Sequence, residues 1–232
     1  SLSIDPVVGD ASNGWYKTQP TITLAQTDDN FDRIEYQWDS KTEASWTSYS
    51  SPFKLGNEGA HVLYYRAIDK ANNISEVGVK NIAWDQTDLE YGPQNISADP
   101  NPTSGSTSKI KWEVAKDNTG IDKYEVQWKL NDVANPPSYS KTVGSGTTEV
   151  EIDQLSEGRW TVKVVAFDGS GRSKDNSIDV VVDRSGPVAP VLTLAGTGAG
   201  TATLSWNAIA DAQDYIIWYG NAPGSRQFGA KV

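Results

Sequence analysis

The feature that most constrains this chain of 232 residues is that it repeats itself. Arg33-Ile34-Glu35-Tyr36-Gln37-Trp38 matches Lys123-Tyr124-Glu125-Val126-Gln127-Trp128, with Glu-x-Gln-Trp in the same phase. Glu58-Gly59 is followed by Ala67-Ile68-Asp69, and Glu157-Gly158 is followed at the same spacing by Ala166-Phe167-Asp168. Equal spacing within both copies argues against chance and for two modules of one architecture.

The runs inside each copy are short, β-branched or aromatic, alternating, and bounded by Gly, Asn, Asp, Pro and Ser, which is the pattern of strands joined by turns. Strands are predicted at 21–25, 33–38, 61–68 and 77–84, and then at 95–98, 109–114, 123–129, 148–152, 159–167 and 178–182. Helical periodicity is nearly missing. Nine Trp, ten Tyr and four Phe supply the apolar area for packed cores despite a polar average. The expected class is all-β.

Charge narrows the partners. With 30 acidic residues against 20 basic ones, the formal charge is −10, which disfavours nucleic acid and anionic membrane surfaces. No apolar run approaches the roughly 18–20 residues needed to span a bilayer, so no membrane insertion is expected. The start at Ser1-Leu2-Ser3 lacks a charged stretch followed by an apolar one, and the absence of methionine suggests a piece of a longer protein. Cysteine is absent, which removes disulfides, thiolate metal sites and cysteine nucleophiles together, and for a secreted module leans toward a bacterial rather than an animal origin.

Particular residues carry a family resemblance. Trp112 and Tyr124, and again Trp206 and Tyr215, stand where strand B and strand C of a fibronectin type III domain carry their tryptophan and tyrosine. Leu155-Ser156-Glu157-Gly158-Arg159-Trp160 resembles that family's turn into strand F, with Trp160 where tyrosine is usual. An indole can donate a hydrogen bond there but not accept one. The first segment resembles a bacterial immunoglobulin-like repeat, in which Trp46-x-x-Tyr49-x-x-Pro52-Phe53 precedes a glycine-led strand ending in Ala67-x-Asp69. Together the resemblances imply tandem immunoglobulin-like/fibronectin type III β-sandwiches, with a bacterial immunoglobulin-like module over 1–87 and a fibronectin-like one over 88–186. Residues 187–232 would be the first half of a third. Links as short as Trp84–Asp88 and Val182–Pro187 are expected to hold the modules in a semi-rigid rod.

Catalytic inventories fail. The single histidine, His61, lies within a predicted strand, so a serine-histidine-acid triad has no candidates. Gly196-x-Gly198-x-Gly200 joins two predicted strands and suits a turn rather than a phosphate loop. Trp15, Tyr16, Trp46 and Tyr49 fall at less regular positions, where exposed rings could stack on sugars.

Acidic residues offer the one geometric candidate. In this topology the incoming linker, the B–C loop and the F–G loop meet at one end of a module. In the second module those places hold Asp85 and Asp88, Asp117, and Asp168. Calcium takes six to eight oxygen ligands, so these four are the candidate metal residues. Asp and Asn are also good turn formers, which explains them without an ion.

The expected role is therefore not enzymatic: structural or interaction modules of a larger bacterial secreted or cell-surface protein, such as a spacer, adhesin stalk or surface-layer component. The alternative is a carbohydrate-binding accessory region of an extracellular polysaccharide-degrading enzyme. Expected partners are neighbouring modules of this or another copy of the chain, and cell-surface polysaccharide. The apolar side chains Leu204, Trp206, Tyr215 and Ile217 of the half-module should need covering by further chain or by another copy.

Overall fold

A computed structural model of the chain describes residues 1–5 and 14–232. Among the described residues every regular element is a strand, and no helix is long and apolar enough to cross a membrane. The first module comprises β1 (Leu2–Asp5), β2 (Thr21–Leu24), β3 (Phe31–Trp38), β4 (Thr47–Ser48), β5 (Phe53–Lys54), β6 (Gly59–Asp69) and β7 (Gly78–Trp84). The second comprises β8 (Gln94–Asp99), β9 (Ser108–Glu113), β10 (Ile121–Leu130), β11 (Ser138–Gly144), β12 (Glu149–Ile152), β13 (Gly158–Asp168) and β14 (Ser173–Val182).

Each module is a sandwich of a three-stranded and a four-stranded antiparallel sheet. The first pairs β1-β2-β5 with β4-β3-β6-β7, and the second pairs β12-β9-β8 with β11-β10-β13-β14. Alternation in the sequence creates the inner faces. Along β9, Ser108, Ile110 and Trp112 are buried while Lys109, Lys111 and Glu113 face solvent. Each module thus closes its own core: Ile22, Ile34, Leu63, Ile82 and Trp84 in the first, and Ile110, Trp112, Tyr124, Trp160 and Val164 in the second.

The sequence repeat has a backbone counterpart. Gly59 and Gly158, which lead β6 and β13, both adopt φ of 125°, a conformation open to glycine and strained for other residues. Register shifts by one residue between Phe31 and Arg33 against β6, and between Ile121 and Lys123 against β13. A bulge of this kind re-aims the side chains beside it, and in both modules the residue beside it at the end of the partner strand is the repeat's aspartate, Asp69 or Asp168.

The Trp–Tyr pairs are core devices. Trp112 and Tyr124 pack at 5.4 Å between ring centroids, and the Tyr124 hydroxyl accepts the Ala115 N–H at 3.0 Å. Trp206 and Tyr215 repeat the arrangement at 5.6 Å, with the Tyr215 hydroxyl accepting the Ile209 N–H at 2.7 Å. Trp160 is fully buried and keeps a corner hydrogen bond in the donating sense, from Nε1 to the Ser156 carbonyl at 2.9 Å.

The chain divides into two compact units, Ser1–Asp183 and Arg184–Val232. The first contains both complete sandwiches. Near its end the Asp183 N–H donates to the Thr103 carbonyl at 2.9 Å. The second unit consists of two hairpins, β15 (Leu192–Gly198) with β16 (Thr201–Trp206), and β17 (Ile216–Tyr219) with β18 (Phe228–Lys231). The Gly196–Gly200 stretch ends β15 and turns into β16, with Gly200 at φ 75°. Register puts Leu192 opposite Trp206, Leu194 opposite Leu204, and Tyr219 opposite Phe228. Leu204, Trp206, Tyr215 and Ile217 are half-buried, whereas Leu192, Leu194, Tyr219 and Phe228 are each more than 50% exposed.

Candidate functional site

Three aspartates converge where the two complete sandwiches meet. Asp85 follows β7, Asp117 lies in the β9–β10 loop, and Asp168 ends β13 at the loop into β14. One carboxylate oxygen from each lies within 4.8 Å of the other two. Asp85 is 0% and Asp168 1% exposed, with Asp117 half-buried. Asp88, the fourth residue expected here, stands apart: its carboxylate is 81% exposed and meets Arg172 Nε at 3.3 Å. Three residues beyond Asp85 the chain has already turned outward, and Arg172 holds Asp88 on the outer side.

Local hydrogen bonds fix the trio. Asp85 Oδ1 accepts the Thr87 N–H at 2.8 Å, and Asp117 Oδ1 accepts the Thr119 N–H at 2.8 Å. Asp168 Oδ1 accepts the Ser170 hydroxyl at 2.8 Å and the Arg172 N–H at 3.0 Å. Thr119 Oγ1 lies 2.7 Å from Asp85 Oδ2 and 2.7 Å from Asp117 Oδ1, linking an acid of the linker to one of the second sandwich. Asp117 Oδ2 and Asp168 Oδ2 are buried without a hydrogen-bond partner.

The electrostatics are unfavourable to three bare charges. Burial pushes the Asp85 carboxyl above its ordinary range. Hydrogen bonds from Thr119 and Thr87 pull it back, and the neighbouring Asp117 and Asp168 raise it further. Arg172 is the nearby cation, yet its guanidinium is used elsewhere, donating to the Asp85 carbonyl and to Ser170 Oγ (2.9 Å) and pairing with Asp88.

Other groups lock the joint. Glu58, in the turn before β6, accepts the Gln86 N–H at 3.0 Å and the Thr87 hydroxyl at 2.8 Å, and also bonds Asn118 Nδ2 across the joint. Burial pushes its carboxyl up, but these hydrogen bonds outweigh it and leave the group below the usual range. Gly169 has no side chain because none fits: a Cβ there would lie 2.5 Å from the Trp15 indole. Trp15 therefore spends its ring on the second sandwich. Trp46 is likewise covered, with the Arg66 guanidinium 4.1 Å above its ring. The two ring nitrogens of His61 face acceptors, Nδ1 at 2.9 Å from Asp39 Oδ2 and Nε2 at 3.0 Å from the Asn57 carbonyl, which makes it a structural strand histidine.

Thr119, Ser170 and Arg172 were not singled out in the sequence, and Glu58 only as a marker of the repeat, although Thr119 and Ser170 belong to a readable signal. All three converging acids sit in Asp-x-Ser/Thr: Asp85-Gln86-Thr87, Asp117-Asn118-Thr119 and Asp168-Gly169-Ser170. Such spacing lets a carboxylate bond its own chain two residues on. Asp69, the repeat equivalent of Asp168, has Ala71 in place of the hydroxyl residue and is served by its own turn. Its oxygens take the Ala71 and Asn73 N–H groups and the Asn73 amide, each at 2.8 Å. Those bonds, led by the Asn73 side chain, hold its carboxyl below the ordinary range.

No family model matches the chain, and no curated protein matches it. Among solved structures, the FN1–FN3 domains of chicken CNTN1 align over 75% of this chain and 66% of their own length, at 15% identity and a TM-score of 0.40. A segment of two fibronectin type III domains from chicken tenascin aligns over 78% of this chain and 98% of its own, at 16% identity and a TM-score of 0.38.

Proposed function

We propose that this chain is a non-catalytic structural and interaction segment of a bacterial secreted or cell-surface protein, whose modules set the spacing and orientation of what they connect. The observation that carries this reading is the joint. Two sandwiches with separate cores are held by buried polar groups and by an indole seated on a glycine, where a flexible tether would show neither. For a secreted module of this size, the lack of cysteine favours a bacterial origin over an animal one, where a bridge would be common. Partner contact belongs to the Arg184–Val232 unit. Leu192, Leu194, Tyr219 and Phe228 lie exposed on hairpin faces shared with half-buried core residues, which is the surface a second β-layer covers. A neighbouring module, of this or another copy, supplies that layer.

Backbone 15N relaxation on the whole chain tests the spacing role. One rotational correlation time shared by residues of β1–β7 and β8–β14 is expected. Two separate times would show modules that swivel and would defeat the reading.

A further inference from the structure

Burying a carboxylate oxygen without a donor is costly, and native proteins rarely leave one so. The joint holds two, Asp117 Oδ2 and Asp168 Oδ2, and Asp168 is 1% exposed. They belong to a group of three carboxylates within 4.8 Å of one another, and no lysine or arginine forms an ion pair with any of the three among the described residues. Asp69, at the same repeat position in the first module, saturates its oxygens with its own turn. The difference at Asp168 is therefore specific to the joint.

We infer that Asp85, Asp117 and Asp168 form a calcium site that clamps the first sandwich to the second. The donor set decides the class of ion. It offers only oxygen, from three carboxylates with Thr119 Oγ1 beside them, and no thiolate or imidazole, which selects a hard cation over zinc or copper. Hydration decides between the hard cations. Magnesium keeps most of its water and is held through one or two carboxylates, whereas calcium accepts a cage of several carboxylates with irregular geometry. Three carboxylate oxygens within 4.8 Å of one another make such a cage. Carboxylates binding through one or both oxygens give three to six ligands, and water completes the six to eight that calcium takes. The ion would offset two of the three carboxylate charges and give both orphan oxygens a partner. It would also tie three segments far apart in sequence: the linker, the β9–β10 loop and the end of β13. The site does not depend on the spacer reading, since it could exist in a protein with any other role.

The test uses the full chain, stripped with chelator. Titration calorimetry with calcium chloride should show one ion bound per chain, and the melting temperature should rise with calcium but not with magnesium at equal concentration. Terbium should give emission on tryptophan excitation, since Trp15 packs on Gly169 next to Asp168, and calcium should displace it. Asp168→Asn and Asp117→Asn should weaken calcium binding at least tenfold while melting no lower than the parent in chelator, because each relieves repulsion in the empty site. Superposable parent melts in calcium and chelator, with no terbium signal, would overturn the site. So would variants that lose stability equally in both conditions. An equal response to magnesium would overturn the choice of calcium.

Discussion

Thr119 Oγ1 stands 2.7 Å from Asp85 Oδ2, so a loop residue of the second sandwich is bonded to the residue that follows the last strand of the first. Thr119 is half-buried and lies equally close to Asp117 Oδ1. Thr119→Val keeps the shape and removes the hydroxyl. It should destabilise the Ser1–Asp183 unit by about 1–2 kcal/mol, the usual result of leaving a buried acceptor unserved. Chemical denaturation with an unchanged m-value checks it; no loss would mean the contact contributes nothing to the joint.

The core of the second sandwich should be the most sensitive to truncation. Trp112 is 5% exposed and packs on Tyr124, which is 0% exposed. Trp112→Ala should cost about 3–5 kcal/mol. Tyr124→Phe should cost about 1–3 kcal/mol by orphaning the buried Ala115 N–H. Urea melts followed at residues of β8–β14 separate these losses from the first sandwich.

Glu35 gives the first sandwich a pH dependence. Burial pushes its carboxyl up, but hydrogen bonds from Arg33 at 2.9 Å and Arg66 at 3.0 Å outweigh burial and leave it below the ordinary range. A lowered folded-state value means the folded chain binds fewer protons than the unfolded one. This contribution is present above the unfolded value and is lost as pH falls through the folded one. Glu35→Gln should flatten the acid limb of the stability curve. Arg66→Ala should cost about 2–3 kcal/mol at neutral pH, since it strips a partner from a carboxylate whose side chain is 12% exposed.

The Arg184–Val232 unit should drive association. Tyr219 and Phe228 stack at 5.4 Å, and they are 57% and 56% exposed. Replacing both with Ser should abolish concentration-dependent association measured by analytical ultracentrifugation. A parent chain that stays monomeric at every concentration would contradict self-association and leave a different chain as the partner.

Much of this architecture is legible in the sequence because alternation and turn residues act locally. The predicted runs at 33–38, 61–68, 123–129 and 159–167 lie inside β3, β6, β10 and β13, the long central strands with full apolar alternation. Within the two complete sandwiches, the strands that sequence reading omits are at the margins: β1 at four residues, β4 and β5 at two each, and β11, whose side chains are largely exposed. Edge strands are specified by their neighbour's register more than by their own pattern. The acid cluster was legible through topology, which puts linker and loops at one end. Topology could not separate Asp88 from Asp85, since three residues of linker can face either way, and Arg172 decides which does.

The most direct measurement of the joint is a distance. The chain has no cysteine, so Ser48→Cys and Ser140→Cys, exposed residues on β4 and β11, place one spin label on each complete sandwich. Pulsed dipolar spectroscopy on the doubly labelled full chain should return a single narrow distance distribution in calcium, and a broader one once the ion is removed by chelator. A distribution equally broad in both conditions would contradict the claim that a cation-clamped joint holds the two sandwiches in one orientation.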